Sequence, residues 1–268
     1  MSQVYYLFCL TPADAAAPAV ERAGIDGRSP VFIERFHEVA AVLCETALEE
    51  FVGADAEKRL QDLSWVGPRA YRHEEIILTF SRQGPVLPVR FGTVFSSREH
   101  MMATLGTHLE KIAEFLRYIA DKEEWTLKGL MNRPAVRTYV MTQRLAQAAD
   151  DLTALSPGKR YFAEQRLKLA VDKDLQLWLR EGTREAIKRL SAISMGFSQR
   201  RLIARDVTGS EEEMFFNGAF LVPKVSLDRL EGAVLELNAE GQDRGLRYDL
   251  TGPWPPYSFA PALDEETS

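Results

Sequence analysis

Cysteine and histidine are scarce, with two of the first and four of the second in 268 residues. A disulfide-built scaffold is therefore excluded. Cys9 and Cys44 both sit in apolar runs, which reads as buried free thiols in a reducing compartment; a bridge between adjacent strands is the other possibility. The histidines (His37, His73, His100 and His108) fall in no metal-ligand spacing, and no HExxH or CxxC occurs. His100 and His108 lie about 12 Å apart on one helix at 1.5 Å per residue, too far to share an ion. Positive charge is also in deficit: 33 Lys and Arg against 39 Asp and Glu give a net charge of -6. That balance argues against binding driven by phosphate neutralisation. No apolar run approaches the roughly 18 to 20 residues of a membrane span. VYYLFCL near the start is too short for a secretory core and leads into a turn. These absences predict a soluble cytoplasmic protein that binds no nucleic acid.

Nucleophile and phosphate motifs are missing as well. No serine occupies a GxSxG elbow, and Arg90-Phe91-Gly92-Thr93 has neither the repeated glycines nor the lysine of a phosphate-cradling loop. Glu74-Glu75 and Glu211 to Glu213 read as a wet helix face and a turn. The expectation is a protein without catalysis, cofactor or metal.

Apolar patterning supplies the rest, since hydrophobic residues make up 46% of the chain, enough for one large domain or two ordinary ones. Gln3 to Leu10 predicts a strand and Ala13 to Arg22 a short helix. Val31 to Phe36 and Val39 to Glu45 predict a hairpin turning on His37 and Glu38, without a turn glycine. Asp55 to Leu63 and a segment through Phe80 are helical, with Pro68 in the first turn of the latter. The prolines of Pro85 to Phe95 (PVLPVRFGTVF) suit an edge strand or extended segment ending at Gly92. Met101 or Met102, Leu105, Leu109, Ile112, Leu116 and Ile119 predict one helix capped by Ser96 or Ser97. Trp125 to Met131 predicts the strand that closes a first β-α-β-β-α-β set.

After Asn132-Arg133-Pro134, the spacing predicts helices over Ala135 to Leu152 and from Lys159 to about Leu190. Strands follow over Ala192 to Ile203 and Glu213 to Val222, around a turn at Thr208, Gly209 and Ser210, with a bulge at Asn217-Gly218. A helix through Leu227, Leu230, Val234 and Leu237 precedes a last strand opening GLRYDLTGPWPPYSF at Gly245 to Phe259. There Gly252 reads as a turn, and Trp254, Tyr257 and Phe259 form a proline-stiffened aromatic arm. The predicted fold is α+β, with domains at 1–132 and 133–250 and the arm with its acidic tail at 251–268.

Two charged features stand out as candidate interaction or interdomain sites. Arg90, inside an apolar run with Phe91 and Phe95 beside it, requires an acidic partner or exposure. Arg200, Arg201, Arg205 and Asp206, with Asp249 on the last strand, read as a solvated strand edge or a binding surface; Arg201 and Asp206 are candidates for an ion pair. Trp254, Tyr257 and Phe259 serve either packing or partner contact.

Three stretches, PVLPVRFGTVF at 85–95, RDVTGSEEEMFFNGAFLV at 205–222 and GLRYDLTGPWPPYSF at 245–259, resemble the GvpF/GvpL family of gas vesicle proteins. VYYLFCL and EWTLKGLM at 124–131 fit as well, so the resemblance covers nearly the whole chain. One departure is Phe8-Cys9 after YYL, where members often have a glycine-containing ending. The resemblance implies two modified ferredoxin-like domains and a C-terminal tail. It implies a cytoplasmic accessory or minor structural protein of gas vesicles that binds the small hydrophobic shell protein during nucleation or growth, with other accessory proteins as further partners. The motifs do not fix which surface binds; the expected contact is the first domain, around Arg90 to Phe95 and the next helix. A regulatory module holding a small ligand is the alternative; it predicts a polar pocket near Arg90 and Arg205, where assembly predicts an exposed apolar patch.

Overall fold

The computed structural model describes residues 3–15, 22–203 and 212–263. It divides into two compact units, Met1–Glu123 with Trp254–Ser268, and Glu124–Pro253. The predicted boundary after residue 132 falls at the start of a helix nine residues beyond the first of these divisions, and the aromatic arm is grouped with the N-terminal unit. Of the predicted helix at Ala13 to Arg22, residues 16–21 lie outside the described residues, and Ala13 to Ala15 form a turn.

The first unit is built on β1 (Gln3–Pro12), whose run of buried Tyr6, Leu7, Phe8, Cys9 and Leu10 marks a central strand covered on both faces. It pairs antiparallel with β3 (Val39–Ala47), which pairs with β2 (Phe32–Phe36). The predicted hairpin is present, with Phe36 opposite Val39. His37 takes the left-handed position at φ 51, which a glycine would otherwise fill, and stacks edge-on against Phe36 at 4.6 Å. Three helices follow: α1 (Leu48–Phe51), α2 (Ala54–Gln61) and α3 (Leu63–Ser81). Pro68 sits inside α3 rather than in its first turn, because the helix already starts at Leu63, capped by the Asp62 carboxylate accepting from Ser64 N. The PVLPVRFGTVF segment is two short strands, β4 (Leu87–Pro88) and β5 (Val94–Phe95), both paired with β1. The single predicted helix beyond it is two, α4 (Arg98–Thr107) and α5 (Leu109–Ile119), parted at His108. Ser97 caps the first, and one stripe of Met101, Leu105, Ile112, Leu116 and Ile119 is buried across both.

The second sheet runs β7 (Gly196–Gln199), β8 (Glu213–Pro223), β6 (Lys122–Met131), β9 (Leu246–Trp254). The strand expected to close the first sheet, Trp125 to Met131, is thus a central strand of the second. The fourth place of the first sheet, at its edge, is taken by β4 and β5, the stretch whose prolines predicted an edge strand or extended segment. Between β6 and β7 lie α6 (Arg133–Gln147), α7 (Ala149–Thr153) and α8 (Pro157–Ser191); α9 (Leu227–Gln242) connects β8 to β9. Counted within its own set of strands, each sheet has the order 2-3-1-4 and the element order β-α-β-β-α-β, apart from the segment between β1 and β2.

The length of one strand and two readings of glycine are corrected. β7 is shorter than the predicted Ala192 to Ile203, and the turn at Thr208 to Ser210 lies outside the described residues. The β7–β8 register shows no bulge at Gly218; that residue is a glycine because a Cβ would sit 2.7 Å from the Phe216 ring and 2.8 Å from Phe197. Gly252 lies within β9 rather than at a turn, where a Cβ would come within 2.9 Å of the Trp125 ring and 3.0 Å of Glu124 O.

Gly245 meets both demands on glycine at once. Its φ is 79, and a Cβ would lie 2.7 Å from Ala135 Cβ and 3.1 Å from Val136 N. Its carbonyl accepts from Asn132 N at 2.9 Å, so the residue cannot swing away without a backbone bond. Gly245→Ala is expected to cost about 2–4 kcal/mol from combined backbone strain and overpacking, read as a lower urea midpoint with an unchanged m-value.

Candidate protein-docking site

Between β4 and β5 the chain leaves β1 for one tight turn, Val89 to Thr93. Val89 N donates to Phe8 O at 3.2 Å on one side, and Leu7 N donates to Thr93 O at 3.0 Å on the other. Within the turn, Thr93 N and Oγ1 both donate to Arg90 O, at 3.3 and 2.8 Å, and Gly92 supplies φ 88. Phe91 is half-buried against Tyr6, Phe51 and His73, at ring distances of 6.3, 6.1 and 5.7 Å. The Arg90 side chain is exposed, so exposure rather than an acidic partner is what its apolar surroundings allow.

Two buried side chains that were not among the sequence candidates, Tyr6 and His73, brace this turn. His73 Nε2 lies 3.2 Å from Val89 O, a pure acceptor, so Nε2 carries the proton. In the neutral ring Nδ1 then accepts from the Tyr6 hydroxyl at 2.9 Å, and that hydroxyl oxygen accepts from Gly92 N at 3.1 Å. Burial drives the His73 pKa down from 6.5 to about 4, against the smaller opposing effect of its bond to Val89. Burial likewise pushes the Tyr6 phenol up. The available signal for His73 was its place on the same helix face as Ile76, Ile77 and Phe80, all buried.

The aromatic arm divides in its roles. Tyr257 packs against the same core as Tyr6, Phe8 and Phe91, and its hydroxyl donates to Glu74 Oε1 at 2.9 Å. Burial first, then the Glu74 carboxylate, raise its pKa. Phe259 is half-buried, its amide donating to Pro256 O at 3.2 Å, while Trp254 is 43% exposed.

Of the neighbours Arg200 and Arg201 in the second unit, Arg200 makes the ion pair. Its guanidinium pairs with the fully buried Glu124 carboxylate and donates to Thr126 Oγ1 at 3.1 Å. Arg201 is exposed and contributes its backbone oxygen to Asn217 Nδ2 at 2.7 Å. Arg205 and Asp206 lie outside the described residues, as does the ion pair expected of Arg201 with Asp206. Asp249 pairs with Arg247, which also holds Glu212 at 2.6 Å. The described candidates thus separate into Arg90, Phe91, Phe95, Trp254, Tyr257 and Phe259 in the first unit and Arg201 in the second. Both cysteines are free and buried; burial pushes the Cys44 thiol up to about 12. Among the described residues no group of three His, Cys, Asp or Glu could hold a metal ion, and no described helix is long and apolar enough to cross a membrane.

A two-sheet α+β protein that offers a braced turn beside an aromatic segment is the class these features define. The chain belongs to the gas vesicle synthesis protein GvpL/GvpF family, whose model matches residues 4–261. It is 25% identical to gas vesicle protein L of Streptomyces sp. (strain CB03234) over 98% of this chain and 95% of that protein. It is also 25% identical to gas vesicle protein F of Dolichospermum flosaquae, over 97% and 98%. The crystal structure of GvpF from Anabaena sp. PCC7120 superposes with a TM-score of 0.71 at 19% identity, covering 97% of this chain and 99% of that one. Family membership supports a role in gas vesicle assembly and implies gas vesicle proteins as partners.

Two outcomes test the brace. Tyr6→Phe leaves Gly92 N and His73 Nδ1 without their partner and is expected to cost about 1–3 kcal/mol in denaturant unfolding. Because native His73 stays neutral down to about pH 4 while the unfolded histidine protonates near 6.5, the unfolded state binds more protons between those values. Stability therefore falls as pH drops through that window, by up to about 3 kcal/mol from this residue. A pH series of urea midpoints should flatten across the window in His73→Gln.

Proposed function

We propose that this protein is a non-enzymatic accessory or minor structural protein of the gas vesicle that binds the small hydrophobic shell protein during nucleation or growth. The braced Val89–Thr93 turn is the observation that carries the reading. It holds an arginine out to solvent on an aromatic base within an otherwise apolar segment, and a rigid turn can bind without the ordering cost of a loose one. Arg90, Phe91 and Phe95, with α4 beside them, form the contact. Trp254 extends it or serves the arm's own packing. The two β-α-β-β-α-β units are modified ferredoxin-like domains that act as scaffold. Other gas vesicle accessory proteins are the second class of partner, and the protein works at the gas vesicle in the cytoplasm.

The test is retention of the shell protein by the immobilised full chain. Arg90→Glu should reduce retention at least about fivefold, a change of about 1 kcal/mol, with the thermal midpoint unchanged. Trp254→Ala should reduce it less. Loss only in Trp254→Ala moves the contact to the arm; full retention by both variants, or no retention by the unaltered chain, overturns the proposal.

A further inference from the structure

Helix α8 buries one face and leaves the opposite one patterned. Val171, Leu175, Leu179, Ala186 and Leu190 are its buried residues. On the other side, Phe162, Leu169 and Leu177 are 66%, 85% and 47% exposed, seven and eight residues apart. Between and beyond them, on the same face, stand Arg166, Lys173, Arg180 and Arg184, all exposed. At 100° per residue these seven positions fall within one stripe that runs about 33 Å along the helix. Four of the five α8 carboxylates are committed elsewhere, in the pairs Arg160–Glu164, Arg137–Asp172, Arg144–Asp174 and Arg189–Glu185. None of the four stripe cations forms a salt bridge among the described residues. In a chain of net charge -6, this is a local cationic face without a salt-bridge partner among the described residues, and Arg180 and Arg184, one turn apart, repel each other.

We propose that this face of α8 docks an acidic amphipathic helix of a partner protein, at a surface separate from the Val89–Thr93 turn. The heptad-like alternation of apolar and cationic positions matches a helix that presents leucines to Phe162, Leu169 and Leu177 and carboxylates to the cations between them. A lipid surface fits less well. Insertion of the three apolar side chains would carry interleaved cations in with them, whereas interfacial helices keep the two on different faces. A nucleic acid would gain nothing from Leu169, the most exposed of the three.

The test uses the full chain and a fluorescent acidic peptide of about 28 residues, leucine at a and d and glutamate at e and g, long enough to cover the stripe. Anisotropy should report binding that weakens at least tenfold between about 0.05 and about 0.5 M salt, where exposed charges become screened. Arg166→Glu/Lys173→Glu/Arg180→Glu/Arg184→Glu should weaken it at least tenfold, and a peptide with lysine at e and g should not bind. If the quadruple variant loses its native circular dichroism, Leu169→Asp alone takes its place with the same expected loss. Unchanged affinity in the folded variants overturns the proposal. So does peptide binding no tighter than that of the lysine peptide, or a stripe-dependent preference for phosphatidylserine vesicles or duplex DNA over the peptide.

Discussion

One phenol holds three parts of the N-terminal unit in place. The Tyr6 hydroxyl joins β1 to α3 through His73 and to the β4–β5 turn through Gly92. Each bond depends on the others. His73 can accept from Tyr6 only while its proton faces Val89 O, and that oxygen is in place only while the turn is folded against β1. A polar network this deep is favourable when every member is satisfied and costly when one is lost. That dependence turns an arginine and a phenylalanine on a short loop into a fixed surface, and it explains why a histidine is tolerated among Ile76, Ile77 and Phe80.

The second unit meets a similar problem with charge. Glu124 is fully buried at the start of a central strand, and Arg200 follows the end of β7 to pair with it. Removing either partner alone from such a pair is costly, although the pair itself adds little net stability. Its use is positional, since it specifies where the chain beyond β7 lies relative to β6. The close approach of Gly252 to Trp125 and Glu124 O constrains the opposite side of the same strand.

Much of this architecture was legible in the chain. Short apolar runs located β1, β2, β3 and β8, alternation located β9, and period-3.6 stripes located α5, α8 and α9, because those signals report burial directly. What failed was pairing. Trp125 to Met131 has the pattern of a central strand, but nothing local says which sheet it is central to. Pro85 to Phe95 read as an edge strand or extended segment because two prolines weaken a strand, and two bonded residues on each side of a turn suffice to fill the edge position of the first sheet. At the candidate site, Arg90 stood out by contrast with its neighbours. Tyr6 and His73 did not, since a hydrogen bond across 67 residues leaves no periodic trace. Arg201 drew attention by its place in a charged run; its neighbour Arg200 took the buried carboxylate.

The contact between Tyr257 and Glu74 spans 183 positions, and it has a consequence in time. During synthesis the first sheet, β1 to β5, is out of the ribosome long before the segment that closes over it. At about 5–20 residues per second, the surface beside Glu74 waits on the order of ten to forty seconds for Tyr257, while every residue of the second unit is made. Over that interval the nascent chain shows the apolar ground that Tyr257 later covers, so the N-terminal unit is the first to take shape and the last to be finished.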